Sequence, residues 1–206
     1  MLDDAPAGRI TVISVCAGQG RDLLGVLADH PRKHDVVARL VELDPTNVEV
    51  ARATAQELGL DGVSVLETDA GTTDAYVGAA PASLVILAGF FTFLDDAEIE
   101  RLISMLPQLC ASGASVVWAR GTTGSNNAAH IRELLRRAQF VEVDAKDLGR
   151  TPLHVGVARF AGTPVPLEPA VRIFTFQDPN GTLNKRMVRR INRRRQRVRT
   201  WLRRRR

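Results

Sequence analysis

Apolar and polar residues fall along this chain in blocks whose period switches between that of a strand and that of a helix. The first block, residues 10–15 of ITVISVCAGQGRD, is apolar and rich in β-branched side chains. Gly18 and Gly20 bound it, which predicts a buried strand running into a tight loop, with a helix over 21–29 behind it. A second strand is predicted at 36–42. A helix at 46–58 follows, with Val48, Ala51, Ala55 and Leu58 at helical spacing, Asp44 as N-cap and Gly59 as stop. A third strand spans 63–68, and 71–79 reads as a loop with room for one helical turn. The run SLVILA, 83–88, is apolar throughout, as a central parallel strand covered on both faces should be. Asp95 and Asp96 open a helix to about Leu109, with Ile99, Leu102, Ile103 and Leu106 on one face and Pro107 weakening its end. Ser112-Gly113 predicts a turn into a strand at 114–119, and a polar loop leads to a helix at 128–138. Strands at 140–145 and 153–160 are expected as an antiparallel pair at one edge.

The alternation predicts an α/β fold, a doubly wound, mostly parallel sheet of seven strands. Residues 163–176 contain prolines and then an apolar run, and should pack back on the domain. Asp178-Pro179-Asn180-Gly181 is a strong turn. The expected organisation is therefore one domain over 1–177 and a separate tail over 178–206.

Charge sharpens that division. The formal net charge is +5, but residues 185–206 hold 13 of the 28 basic residues and none of the 23 acidic ones. The rest carries 15 basic against 23 acidic residues, a net −8, and shows no basic bias of the kind a nucleic-acid substrate demands. Neither a signal peptide nor a membrane-spanning run is expected. Two cysteines, Cys16 and Cys110, suggest neither a disulfide framework nor a zinc site, and a reducing cytoplasm is the expected setting.

The chemistry is expected at strand ends. A small-residue loop between a first strand and a helix lets a ligand approach the backbone closely. The second strand ends in Glu42, placed to accept hydrogen bonds from a ribose, and the third is followed by a second acid, Asp69. The dinucleotide fingerprint needs a small third residue for close helix–strand packing, and here that position is Leu23. An NAD(P)-dependent oxidoreductase is thereby disfavoured.

Two acids after successive strands, behind a short glycine loop, resemble the class I S-adenosylmethionine-dependent methyltransferases. VELDPTNVEVAR, residues 41–52, is similar to that family's acid-x-x-Pro segment leading into a helix, and CAGQGRD resembles a bacterial subgroup. The resemblance covers roughly residues 8–162. It implies a sheet whose last strand inserts antiparallel, S-adenosyl-L-methionine as cofactor, and methyl transfer to an unidentified, small-molecule acceptor. It further implies that Cys16, Ala17, Gly18 and Gly20 form the cofactor loop and Glu42 binds the ribose hydroxyls. Asp69 with Ala70 would sit at the adenine, and the backbone of Ala88, Gly89 and Phe90 would meet its amino group. Cys16 stands where the family commonly has its first glycine, and Ser14 where it commonly has a strand acid. Those departures keep open a non-catalytic Rossmann-like domain whose tail carries the function.

The catalytic side is less marked, as expected of a reaction in which a sulfonium already activates the methyl carbon and the protein has mainly to position reactants. No catalytic residue is assigned. Phe90, Phe91 and Phe93 either wall the transfer site or fill the core, and Trp118 poses the same choice. Among the four histidines His130 alone is expected beyond the C-terminal end of a strand; His30 and His34 read as solvated, and His154 begins the last strand. The tail gathers Met187, Val188, Ile191, Val198, Trp201 and Leu202 at helical spacings among arginines. It is expected to be disordered alone and to contact an anionic membrane surface or nucleic acid non-specifically, peripherally in the first case.

Overall fold

The computed structural model describes residues 2–3, 5–121, 128–147 and 153–176. The chain divides into two units, Met1–Thr175 and Phe176–Arg206, and the expected tail lies outside the described residues. The described strands are β1 (Ile10–Val15), β2 (Val36–Glu42), β3 (Val63–Glu67), β4 (Ala82–Ala88), β5 (Cys110–Gly121), β6 (Phe140–Asp147) and β7 (Leu153–Phe160). The described α-helices are α1 (Arg21–Leu27), α2 (Pro45–Glu57), α3 (Asp96–Met105) and α4 (Ala128–Arg137).

The strands form one sheet in the order β3-β2-β1-β4-β5-β7-β6. All neighbours from β3 to β5 are parallel, and β7 is antiparallel to both β5 and β6. Only five residues separate Asp147 from Leu153, too few for the crossover that parallel neighbours require, so β7 has to turn back. The order reverses between β1 and β4. Right-handed crossovers then put α1 and α2 on one face of the sheet and α3 and α4 on the other. On the first face Leu23, Leu24 and Leu27 of α1 and Ala51 and Ala55 of α2 join Val12, Leu40, Leu84 and Ile86 in one buried cluster.

Three elements differ from their sequence expectation. Helix α3 stops at Met105 and passes into a 3-10 turn, Leu106–Gln108, because the Pro107 ring excludes the α-helical pattern. Strand β5 begins at Cys110 rather than at 114. Its register against β4 jumps between Ala82 and Leu84, so Ser112 and Gly113 bulge out (Gly113 φ 71°) inside a strand instead of preceding one. The HPRKHD turn is less solvated than its composition suggests. Arg32 donates to the carbonyls of Leu2, Ala5, Pro6 and Gly8 and to Asp35, and so fastens the N-terminal residues to the domain.

Residues beyond β7 pack back on the domain as expected. Val165 donates to the Pro107 carbonyl, Glu168 to Gln108 Oε1 and Thr175 to Glu98 Oε2, while Arg172 forms an antiparallel bridge with Thr72. Phe90 stacks on Phe91 and on Phe174 (ring centroids 5.2 and 5.4 Å apart), and Phe90, Phe91 and Trp118 are all core. Trp118 lies over Gly156, where an added Cβ would meet the indole at 2.5 Å. Gly156→Ala is therefore expected to cost about 1–3 kcal/mol through overpacking of a fully buried ring. Urea denaturation measures it; an unchanged midpoint would show that the Trp118 ring moves freely.

Candidate functional site

In open α/β sheets ligands bind outside the carboxyl ends of the strands, where the order reverses. That point lies between β1 and β4, and the loop after β1 occupies it. Cys16, Gly18 and Gly20 all take left-handed φ angles (52°, 57° and 68°), which coils the backbone into a tight turn. Cys16 accepts the strain that an L side chain meets there, roughly 1–2 kcal/mol. The glycines are required for different reasons. A Cβ at Gly20 would lie 2.6 Å from Leu40 Cδ2 and 2.9 Å from Leu24 Cδ1, so the core forbids one. At Gly18 a Cβ would meet nothing within 4 Å: the space before it is open.

Glu42 holds this loop in place. Its Oε2 accepts the Gly18 N–H at 2.7 Å, and its Oε1 accepts those of Leu43 and Asp44 at 2.9 and 2.8 Å. The residue is only 3 % exposed, and three backbone donors offset the cost of burying its charge. Asp44 in turn caps α2, accepting from Thr46 and Asn47. A carboxylate oxygen has two acceptor positions, so Oε1 is saturated and Oε2 keeps one. The Cys16 thiol is pushed well above its ordinary pKa by burial, with the charges of Glu42 and Asp69 adding to the shift.

Asp69 is less simply placed. Its Oδ1 accepts the Gly71 N–H at 2.8 Å and its Oδ2 pairs with Arg172 Nη1 at 2.6 Å. Both side chains are nearly half exposed, which makes the pair weak as a source of stability. Each Asp69 oxygen keeps one acceptor position. The neighbouring Ala70 carbonyl accepts from the buried Tyr76 hydroxyl at 2.7 Å, and Ile173 donates to the Gly71 carbonyl at 2.8 Å. Gly71 has to be glycine because a Cβ would collide with the Phe174 carbonyl. Sequence reading anticipated Asp69 at the strand end but not its partner 103 residues away. Ala88 and Gly89 close the crevice on the β4 side, Gly89 with φ 81° and open space around it.

Away from the loop and the two acids, local signals are weaker. Ser14 lies buried in β1 with its hydroxyl unpartnered, and forms no link to the loop. His130 sits in the first turn of α4, at the place expected. His154 does more than begin a strand: its Nδ1 lies 2.7 Å from Asp147 Oδ1, across the β6–β7 register, and its ring lies 5.0 Å from that of Trp118. The strand partner of His154 on β5 is Arg120. Burial pulls the Arg120 guanidinium below its ordinary pKa, and the Asp96 carboxylate works against that shift. An Arg at the polar end of an apolar strand gave no signal in the sequence, because its burial depends on β7 inserting beside β5. Among the described residues no group of three or more His, Cys, Asp or Glu side chains is placed to hold a metal, and no helix is long and apolar enough to cross a membrane.

The chain matches the family described as "Putative methyltransferase" over residues 4–122. No curated protein matches it. Solved structures do. An O-methyltransferase family protein from Burkholderia thailandensis superposes with a TM-score of 0.62 at 21% identity, over 78% of this chain and 55% of that one. Magnesium protoporphyrin IX methyltransferase from Synechocystis PCC 6803, solved with bound S-adenosylmethionine, gives 0.60 at 15% identity over 77% and 73% of the two chains. An O-methyltransferase family 2 protein from Planctomyces limnophilus, in complex with apigenin, gives 0.58 at 16% identity over 77% and 55%. At these identities the likeness is one of fold, and this chain spans just over half the length of the Burkholderia and Planctomyces proteins. More than half of the chain carries the family match, and it belongs to this methyltransferase family, with the class I fold.

The Glu42 bonds generate a stability prediction. Glu42→Gln puts an NH2 where one oxygen stood, so at least one of the three backbone N–H groups loses its acceptor whichever way the amide sits. We expect a loss of about 1.5–3 kcal/mol in urea unfolding. An unchanged midpoint would show that the carboxylate does not hold the loop in solution.

Proposed function

We propose that this chain binds S-adenosyl-L-methionine across the carboxyl ends of β1, β2 and β4 and transfers its methyl group to a small-molecule acceptor. One observation carries the reading. A glycine loop with open space at Gly18 is fastened by an acid, Glu42, that still has one acceptor position, and a second acid, Asp69, stands at the end of the next strand. The residues fit the group. Oε2 of Glu42 would accept one ribose hydroxyl, Asp69 the adenine amino group, and backbone carbonyls of Ala88–Phe90 would complete the adenine contacts. The loop Cys16–Gly20 would pack on the methionine part, with Ala17 and Gly18 nearest the open space. When bound, the cofactor supplies a methyl carbon activated by its sulfonium. The task of these residues is then to orient the acceptor in line with it and exclude water. The Synechocystis neighbour was solved with S-adenosylmethionine and the Planctomyces one with apigenin, which supports both halves of the reading. Leu23, buried where a dinucleotide-binding loop needs a small residue, speaks against NAD(P).

Calorimetry of the pure protein tests the assignment. S-adenosylmethionine and its demethylated product should bind and NAD(P) should not; the reverse outcome would overturn it, and binding of neither would favour the non-catalytic alternative. Gly18→Val should fold and lose at least about tenfold in cofactor affinity, because its side chain enters the open space at a φ that disfavours it. Normal affinity in a folded variant would place the cofactor elsewhere.

For the tail we propose attraction to polyanions, of membrane or nucleic acid, in the cytoplasm. Removing residues 185–206 takes away 13 positive charges and none of the proposed site. Cofactor affinity should stay unchanged while binding to anionic vesicles or nucleic acid, and its salt dependence, disappears. Equal polyanion binding by full-length and truncated protein would contradict this.

A further inference from the structure

Three nitrogen-bearing side chains meet on one face of the sheet at the β5–β7 boundary, and each keeps a buried nitrogen without a hydrogen-bond partner among the described residues. Trp118 and Arg120 stand two residues apart on β5, and their strand partners on β7 are Gly156 and His154. Gly156 leaves room for the Trp118 ring, which packs on His154. Arg120 is 4 % exposed and His154 5 %. Trp118 Nε1, Arg120 Nε and Nη1 and His154 Nε2 are all buried without a hydrogen-bond partner among the described residues. Asp147 takes His154 Nδ1, which leaves Nε2 as the ring nitrogen available to a ligand.

A buried group without a partner costs the fold about as much as a lost hydrogen bond, and a guanidinium costs more. Four such atoms together are a local rule broken at one place, and such places are commonly functional. Three of the four, on Trp118 and Arg120, can only donate; the fourth, on His154, can do so when protonated. Such a set suits an anionic oxygen and suits no cation. It lies at the C-terminal end of β5, the neighbour of β4, on the sheet face away from α1 and α2.

We propose that Trp118, Arg120 and His154 form an anion subsite for the methyl acceptor, binding either a carboxylate it carries or the ionised oxygen of an acidic hydroxyl. The proposal rests on the methyl-transfer reading for the identity of that molecule. Asp147 acts through His154 as a positioning residue. Arg120 supplies the charge, and Trp118 supplies a donor and a flat wall. The acceptor class that follows is a small organic acid or acidic phenol rather than an amine.

The test uses full-length protein carrying Trp201→Phe, which leaves Trp118 as its sole tryptophan. Benzoate, pentafluorophenolate and neutral benzamide are titrated, reading Trp118 fluorescence and Tm. At least one anion should shift the emission and raise Tm, and should bind at least about tenfold more tightly than benzamide. Preference for benzoate indicates a resident carboxylate, and preference for pentafluorophenolate an ionised hydroxyl. Binding of neither anion above benzamide overturns the proposal without need of a variant. Arg120→Met should abolish the preference and leave S-adenosylhomocysteine affinity unchanged. A lowered Tm with the preference intact would show that Arg120 serves the fold and overturn its role. Failure of the wild type to bind S-adenosylhomocysteine would count against the cofactor assignment alone, since anion preference is read without cofactor.

Discussion

The carboxylate of Glu42 is the interaction on which the rest depends. It sits at the end of a largely buried strand and accepts N–H groups from the loop after β1 and from the first residues after β2. One charged side chain thereby fixes the loop relative to the sheet, and Asp44 beside it starts α2. The burial of Glu42 is tolerable only because of those donors, and the donors adopt their conformation only because of the acid. Oε2 keeps one further acceptor position, and Gly18, whose N–H it accepts, has open space where a side chain would stand. Structure and proposed binding site are thus built from the same bonds.

The opposite rim is held by residues distant in sequence. Arg172 pairs with Asp69, Phe174 stacks on Phe90 and Thr175 donates to Glu98, so the stretch after β7 braces the loops after β3 and β4. The Arg172–Asp69 pair is exposed enough to be inexpensive to rearrange, whereas Tyr76 under Ala70 and the crowding at Gly71 hold the backbone of that loop. A half-exposed ion pair over a rigid backbone lets Asp69 take a further hydrogen bond without disturbing the fold.

How much was legible in the sequence follows from the range of the interactions. Strands β2 and β7 were read to their exact limits, because β-branched runs ended by Glu42 or Phe160 carry their own boundaries. The glycine loop, Glu42 and Asp69 were legible for the same reason, as local signals at strand ends. The β5 bulge was read as a turn, since Ser112-Gly113 looks alike in either setting and only register against β4 tells them apart. Arg172, Arg120 and the His154–Asp147 pair were not legible. Their roles come from which strands lie side by side, and β7 between β5 and β6 is a product of topology rather than of local composition.

Crystals grown with S-adenosylhomocysteine would show whether Glu42 both fastens the loop and holds the ribose. A ribose hydroxyl should lie within hydrogen-bond distance of Glu42 Oε2 while the Gly18 N–H stays bound to that oxygen, with the adenine beside Asp69. Density for the nucleoside away from Glu42, or a loop released from Glu42 in the complex, would contradict it.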